Sequence, residues 1–359
     1  MRTKIYGSWA AAATCGAMML AWACGTSSSS DDAGTIDPDS GTAGNDGSTS
    51  SDGSTSKDGN TSSDTGTGDS GPKPDGTTTG NVIRFAAIGD QGKGDTSQTE
   101  VAAAVTTKCK ASGCDFVLLL GDNFYDNGVS SATDSQFKAK FEDVYKDLNM
   151  PFYPVLGNHD YGGFGTGLEF NKGKNEVDYT ANSTKWKLPA AYWHRTEKHV
   201  EFFGLDTNMQ VYGQDKDQRT DVAAWLAAST AKWKIALGHH PYLSNGPHGN
   251  AGSYDGLGFS PANGANAKSF MDEVVCGKVD LYLCGHDHSR QSLKDKCGST
   301  TELMVNGTGS SVTDLKGTNA TNFQANTLGF VYFVIQDGTL TADFIDKTGK
   351  SEYTRTLNK

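Results

Sequence analysis

The chain has 359 residues, 36% hydrophobic and 20% charged, with a formal net charge of −11. Residues 1–24 carry Arg2 and Lys4, and residues 25–80 carry ten Asp against Lys57 and Lys73, which leaves −5 for residues 81–359. A mildly acidic domain without a basic stripe excludes nucleic acid as a favoured partner, and nothing after the N-terminus is apolar enough to span a bilayer.

In chain order, residues 1–24 resemble a secretion signal, with a positive start and an Ala/Met/Leu-rich stretch behind it. The run Leu20-Ala21-Trp22-Ala23-Cys24 is similar to a bacterial lipobox, although Trp22 is bulky for that motif and Leu20 sits one position early. We therefore expect an exported protein, secreted or held at the cell envelope by a lipid on Cys24. Residues 25–80 are nearly all Ser, Thr, Gly, Asp, Asn and Pro, and cannot bury enough surface to offset their ordering entropy. Asp46, Asp52, Asp58 and Asp64 recur every six residues, a spacing that suits a repetitive tether better than a calcium site. As a Gly/Ser-type coil it would average about 40 Å end to end.

Residues 81–359 suffice for one catalytic domain. Strands are expected at Val82–Gly89, Phe116–Leu120, Phe152–Leu156, Val200–Leu205, Lys234–Leu237 and Asp280–Cys284, with short strand-like runs at 301–306, 329–335 and 339–345. Helices are expected over 97–110, 134–147, 217–232 and 266–276. This alternation predicts an α/β protein, two packed β-sheets flanked by helices, with its site on loops at strand ends. Five cysteines follow Cys24, an odd number. Cys109 and Cys114 bracket a short turn, Cys276 and Cys297 flank the last His-rich run, and Cys284 lies inside an apolar run. Two bridges and one buried thiol are expected.

Five short runs carry the chemistry: Gly89-Asp90-Gln91-Gly92, Gly121-Asp122-Asn123-Phe124-Tyr125, Gly157-Asn158-His159-Asp160, Gly238-His239-His240-Pro241 and Gly285-His286-Asp287-His288. Each sets a Gly beside a metal-competent side chain, and several follow a predicted strand. Carboxylates and a phenolate are hard anionic oxygens suited to a trivalent ion, whereas imidazole and an amide oxygen suit a divalent one. Two adjacent ions point to hydrolysis of a phosphoester, because they stabilise the attacking and leaving oxygens together. Alone, a Gly-Asp at a strand end is usually a turn, and a loop His is usually solvated. The ordered co-occurrence of all five overturns those readings.

These runs resemble the metallophosphoesterases, specifically the purple acid phosphatases and their small, tartrate-resistant subgroup. Tyr125 is the discriminating residue. Protein serine/threonine phosphatases place an Asp-Arg pair shortly after the Asp of this run, whereas the purple family keeps an iron-bound tyrosinate where Tyr125 stands. Phe141-Glu142-Asp143-Val144-Tyr145, Leu188-Pro189 with Tyr192, Leu205-Asp206-Thr207 and Cys284-Gly285-His286-Asp287-His288 extend the likeness over about residues 82–310.

The resemblance implies a calcineurin-like fold, a four-layer α/β/β/α sandwich. It implies Fe(III) on Asp90, Tyr125 and His288, and a divalent Fe, Zn or Mn on Asn158, His239 and His286, with Asp122 bridging. A hydroxide between the metals would attack phosphomonoesters, and His159 and His248 would contact the phosphate or leaving group. The loop around His248 departs from the family pattern. His240 is expected to point away, and Asp160 and Asp287 to orient their neighbours. His194 and His199 read as ordinary polar residues, while Asp206 is left open between a structural and an orienting role. Residues 161–184, Gly/Asn-rich, read as surface decoration that can overhang the site. Residues 249–264, with Tyr254 and Phe259, read as a border of the substrate cleft. Small phosphoesters are the expected substrates, the membrane is met only through the lipid, and a monomer is favoured. A phosphodiesterase with the same metals and a non-catalytic surface binding protein are the alternatives.

Overall fold

The computed structural model describes residues 81–253 and 262–359. The expectations for the signal, Cys24, the tether, Tyr254 and Phe259 lie outside the described residues.

Thirteen strands among the described residues form two sheets. The first is built on β1 (Val82–Ile88), β2 (Phe116–Leu120) and β3 (Phe152–Val155), which run parallel. It is extended antiparallel by β11 (Gly329–Gln336), β12 (Thr339–Asp346) and β13 (Ser351–Asn358). The second has a parallel centre of β5 (Val200–Gly204), β6 (Trp233–Leu237), β7 (Leu281–Cys284) and β9 (Glu302–Asn306). Antiparallel β4 (Trp193–Glu197) closes one edge, and β8 (Arg290–Leu293) with β10 (Thr321–Ala325) closes the other.

The sheets are joined by aromatic packing. Phe85 on β1 stacks on Phe116 and Phe333 within its own sheet and meets Phe202 of the other edge-on, with ring centroids 5.4 Å apart. Tyr153 meets Trp193 across the same interface. Such pairs contribute about 0.5–1.5 kcal/mol each beyond the area they bury. α1 (Thr96–Ser112) packs on the first sheet through Val101 and Val105, capped at its start by Asp95, whose carboxylate accepts from Gln98 N. On the second sheet Val222 and Leu226 of α5 (Lys216–Ala228) are buried with Phe203 and Leu205, and Phe270 of α6 (Gly264–Phe270) joins them. The layering is the expected α/β/β/α sandwich.

Two predicted helices give way to wider turns, and α5 ends at Ala228, short of the expected 232. In place of 134–147 the chain forms α2 (Ser135–Phe137), continued by a wider turn over Lys138–Glu142 in which Asp143 N reaches back to Lys138 O. The i, i+4 aromatic face survives, and Phe141 still packs edge-on against Trp186. α6 likewise passes into a wide turn over Met271–Val275. Residues 161–184 are not decoration. They include α3 (Lys174–Tyr179) and bury Tyr161, Glu176 and Tyr179. The cysteines pair as expected, Cys109 with Cys114 and Cys276 with Cys297, leaving Cys284 a buried thiol.

Candidate metal centre

The five runs leave the carboxyl ends of β1, β2, β3, β6 and β7 and meet where the two sheets come together. Asp90, Asp122, Tyr125 and Asn158 follow strands of the first sheet, and His239, His286 and His288 follow strands of the second. The motif glycines let the loops approach this closely. A Cβ on Gly121, at φ 89°, would lie 2.5 Å from His239 Nδ1, and one on Gly157 would lie 2.2 Å from Asp122 Oδ1. Asp90, Asp122 and His286 take the left-handed region themselves, at φ 58°, 51° and 67°. Backbone strain of this kind gathers where side chains are aimed at a ligand.

Tyr125 Oη lies 3.0 Å from Asp90 Oδ1, 2.8 Å from Asp122 Oδ2 and 3.1 Å from His288 Nε2. His288 Nε2 is 3.3 Å from Asp90 Oδ1. These four form one donor set. His239 Nε2 lies 2.9 Å from Asn158 Oδ1, 3.1 Å from His286 Nδ1 and 3.4 Å from Asp122 Oδ2, and these form the second. Asp122 belongs to both, so the structure brings together all seven of the side chains read as ligands. Among the described residues, Asp90, Asp122 and His239 place one His or carboxylate donor atom each within 4.8 Å of one another.

The remaining polar atoms of these groups are held from behind. Leu120 O faces His239 Nδ1 at 3.0 Å, and Ser311 Oγ faces His288 Nδ1 at 2.7 Å, which turns both Nε2 atoms inward. Asp90 Oδ2 accepts from His286 N, and Asp122 Oδ1 accepts from His159 N. Asp160 takes the amides of Asn123, Phe124 and Gly157, tying the second run to the third. Asp287 Oδ1 accepts from His248 N. The orienting roles read for Asp160 and Asp287 are thus met by backbone contacts.

Electrostatics favours cations here. Burial drives the Asp122 carboxyl upward, but His239, His159 and His286 outweigh it and hold it well below the carboxylate range. Burial disfavours a charged His239, yet Asp122 and Asp90 lift it to about 10. The Tyr125 phenol is pushed well above its usual value by burial and by the two carboxylates. A cation between these groups reverses that last effect, since it favours phenolate and unprotonated imidazole. Two carboxylates, a phenol, an amide oxygen and three imidazoles, converging as two sets about one shared carboxylate, fit a pair of ions.

His159 and His248 stand at the rim. The His159 ring is partly exposed, 4.4 Å from the Tyr125 ring, with Nδ1 against Asp126 O. The His248 ring lies 4.0 Å from that of His286. His240 turns toward Thr207, whose Oγ1 also accepts from the His239 and His240 amides. Asp206 is structural: it caps α4 (Thr207–Val211) and accepts from the Tyr161 hydroxyl. His194 and His199 lie away from the cluster on and beside β4, where His194 stacks on Trp225 and bonds Glu201. Sequence reasoning missed Ser311 and Glu176, and gave Thr207 no role beyond its place in Leu205-Asp206-Thr207. Ser311 carries no signal beyond a common hydroxyl, and Glu176 lies in the Gly/Asn-rich segment read as decoration.

A family model for calcineurin-like phosphoesterases matches residues 83–290. The chain belongs to that family. Within it, the relatives are purple and tartrate-resistant acid phosphatases. Tartrate-resistant acid phosphatase type 5 of Sus scrofa is 30% identical over 75% of this chain and 85% of its own length. Purple acid phosphatase 3 of Arabidopsis thaliana is 32% identical over 65% of this chain and 64% of its own. The solved structure of GAP50, described as the anchor in the inner membrane complex of Plasmodium, superposes with a TM-score of 0.62 at 23% identity, covering 77% of this chain and 89% of that one. That likeness shows the fold alone, and activity rests on the site.

Proposed function

We propose that this protein is an exported acid phosphatase that hydrolyses phosphomonoesters at a dinuclear Fe(III)–M(II) site, with M being Fe, Zn or Mn. The observation that carries the reading is the convergence of Asp90, Asp122, Tyr125, Asn158, His239, His286 and His288 from two sheets into two donor sets sharing Asp122. The acid phosphatase relatives support it. Asp90, Tyr125 and His288 would hold the trivalent ion, and Asn158, His239 and His286 the divalent one. The bound pair supplies positive charge that acidifies water and offsets charge developing on the phosphate.

The chain's own residues do the rest. Asp122 and Asp90 keep the cavity anionic, so that cations are retained. His159 is fixed by its amide on Asp122 and by Nδ1 against Asp126 O, which leaves Nε2 as the edge through which it would pass a proton to a leaving oxygen. His248, placed by Asp287 beside His286, would contact the phosphate from the other side. Export follows from residues 1–24, with Cys24 as the lipid-bearing residue and residues 25–80 as a spacer before one catalytic domain over 81–359. Among the described residues no helix is long and apolar enough to cross a membrane. We infer a monomer acting on small phosphoesters, with no nucleic-acid partner.

The test is metal analysis and a visible spectrum on the purified protein, beside rates on an aryl phosphomonoester and a bis-aryl phosphodiester. Two metals per chain, a tyrosinate-to-iron colour and a faster monoester are expected. A faster diester would make it a diesterase, and two metals with no hydrolysis would make it a binding protein.

A further inference from the structure

The Gly162–Gly167 loop lies directly on the candidate centre. The Gly165 carbonyl accepts from Asn158 Nδ2 at 2.8 Å, so it touches the same amide whose oxygen faces His239. A Cβ on Gly165 would come within 2.6 Å of His159 Cε1 and Nε2, so this backbone passes close beside the imidazole. The loop is fastened on both flanks. Gly162 N donates to His159 O, Phe164 N to Asn127 Oδ1 and Gly163 N to Glu169 Oε1. Beyond them, Asn208 Nδ2 and the Tyr212 hydroxyl donate to the carbonyls of Gly167 and Thr166.

At its tip stands Phe164, at φ 51° and ψ 44°, with 82% of its surface exposed. Both facts run against ordinary stability. The left-handed region disfavours a bulky side chain, and a ring left in water gains nothing from burial to offset that. Four neighbouring glycines, Gly162, Gly163, Gly165 and Gly167, also take positive φ, so a fifth at 164 would fit the backbone better than Phe does. A strained, solvent-exposed aromatic one residue from the backbone covering His159 is explained by contact with something that arrives from solution.

We propose that this loop is the leaving-group wall of the site and that Phe164 selects phosphomonoesters whose leaving group is aromatic; the inference rests on the phosphatase reading above. With the phosphate on the donor cluster and the leaving oxygen toward His159, the group beyond that oxygen runs along the Gly165 backbone to Phe164. A flat ring stacks on the Phe164 face, and a short alkyl group does not reach it.

The experiment uses the full-length metal-loaded protein and two variants. Phe164→Asn keeps the loop backbone, because Asn tolerates the left-handed region, and Phe164→Tyr keeps the ring. kcat/KM is measured on phenyl phosphate and on glycerol phosphate, and affinity for phenylphosphonate and methylphosphonate is measured by calorimetry. Phe164→Asn should lower kcat/KM on phenyl phosphate by about two- to ten-fold, mainly through KM, and weaken phenylphosphonate by the same factor. Values for glycerol phosphate and methylphosphonate should hold, and Phe164→Tyr should restore the aryl preference. Equal losses on both substrates, or an aryl-to-alkyl ratio unchanged by Phe164→Asn, would overturn the proposal. A wild type that hydrolyses neither ester, yet binds phenylphosphonate through Phe164, would sink the phosphatase reading and leave the wall standing. Binding of neither phosphonate would refute the wall outright.

Discussion

Asp206→Asn tests the electrostatics of the frame behind the site. The Asp206 carboxyl is buried; one oxygen caps α4 at Met209 N and the other accepts from Tyr161. Burial lifts it from an ordinary 3.8 to about 6, although these hydrogen bonds pull the other way. The folded value lies above the unfolded one, so the native state holds the proton longer. Its contribution is fully present below the unfolded value and is lost as pH rises through about 6. Each pH unit in that window removes about 1.4 kcal/mol, so from about pH 4.5 to 7.5 this group costs wild type roughly 2 kcal/mol. Asn serves as well as Asp at a helix start, exchanges a bond with the Tyr161 hydroxyl, and has no charge to bury. Denaturant unfolding of both proteins at the two pH values gives the difference directly, since the pH dependence they share cancels. The variant should gain roughly 2 kcal/mol relative to wild type on going from acid to neutral. A flat difference, or one of opposite sign, would show that Asp206 is ionised as easily inside the fold as outside it.

The other predictions concern the centre itself. Asp122→Ala removes the carboxylate common to both donor sets, and metal analysis should show loss of the pair together with activity. His159→Ala should keep two metals while kcat falls by about 10²–10⁴-fold, and a full-rate variant would end its assignment as the proton-carrying group. Tyr125→Phe should abolish the visible band and leave some turnover, because the phenol would be a ligand and not the nucleophile. Gly157→Ala pushes a methyl into Asp122 Oδ1, so it should lower metal content at saturating ion. Chelation should lower the melting temperature, since a hundred-fold excess of ion over its dissociation constant is worth about 2.7 kcal/mol; an unchanged melting curve would argue against ion binding to the native state.

The donor cluster was readable in the sequence because each of the five runs sets its first donor next to a glycine at the end of an apolar run, and such runs are strands wherever they are buried on both faces. β2, Phe116–Leu120, is buried throughout and delivers Asp122. Of the edge strands, only β3 was readable. β4 and β13 alternate polar and exposed side chains, as in Ser351–Asn358, so hydrophobic pattern carries little there and pairing is set by the neighbouring strand. Residues 161–184 misled for a different reason. Their glycines mark tight turns, and Tyr161 and Glu176 are buried behind the cluster while Tyr179 stacks on Phe137. Glu176 is buried with its carboxylate accepting from Asn123 Nδ2, and burial and the adjacent Asp160 push it well above the usual range. No periodicity announces a buried acid.

The split origin of the seven donors has a bearing on how the protein matures. The donors up to Asn158 follow strands of one sheet and those from His239 onward follow strands of the other, so neither half of the nascent polypeptide carries either donor set complete. If these donors hold two ions as proposed, uptake would wait until the halves have docked, and the pair would then act as a rivet through the seam. Bound metal would then report completed assembly, and a chain stalled halfway would hold no pair however much of the ion surrounds it.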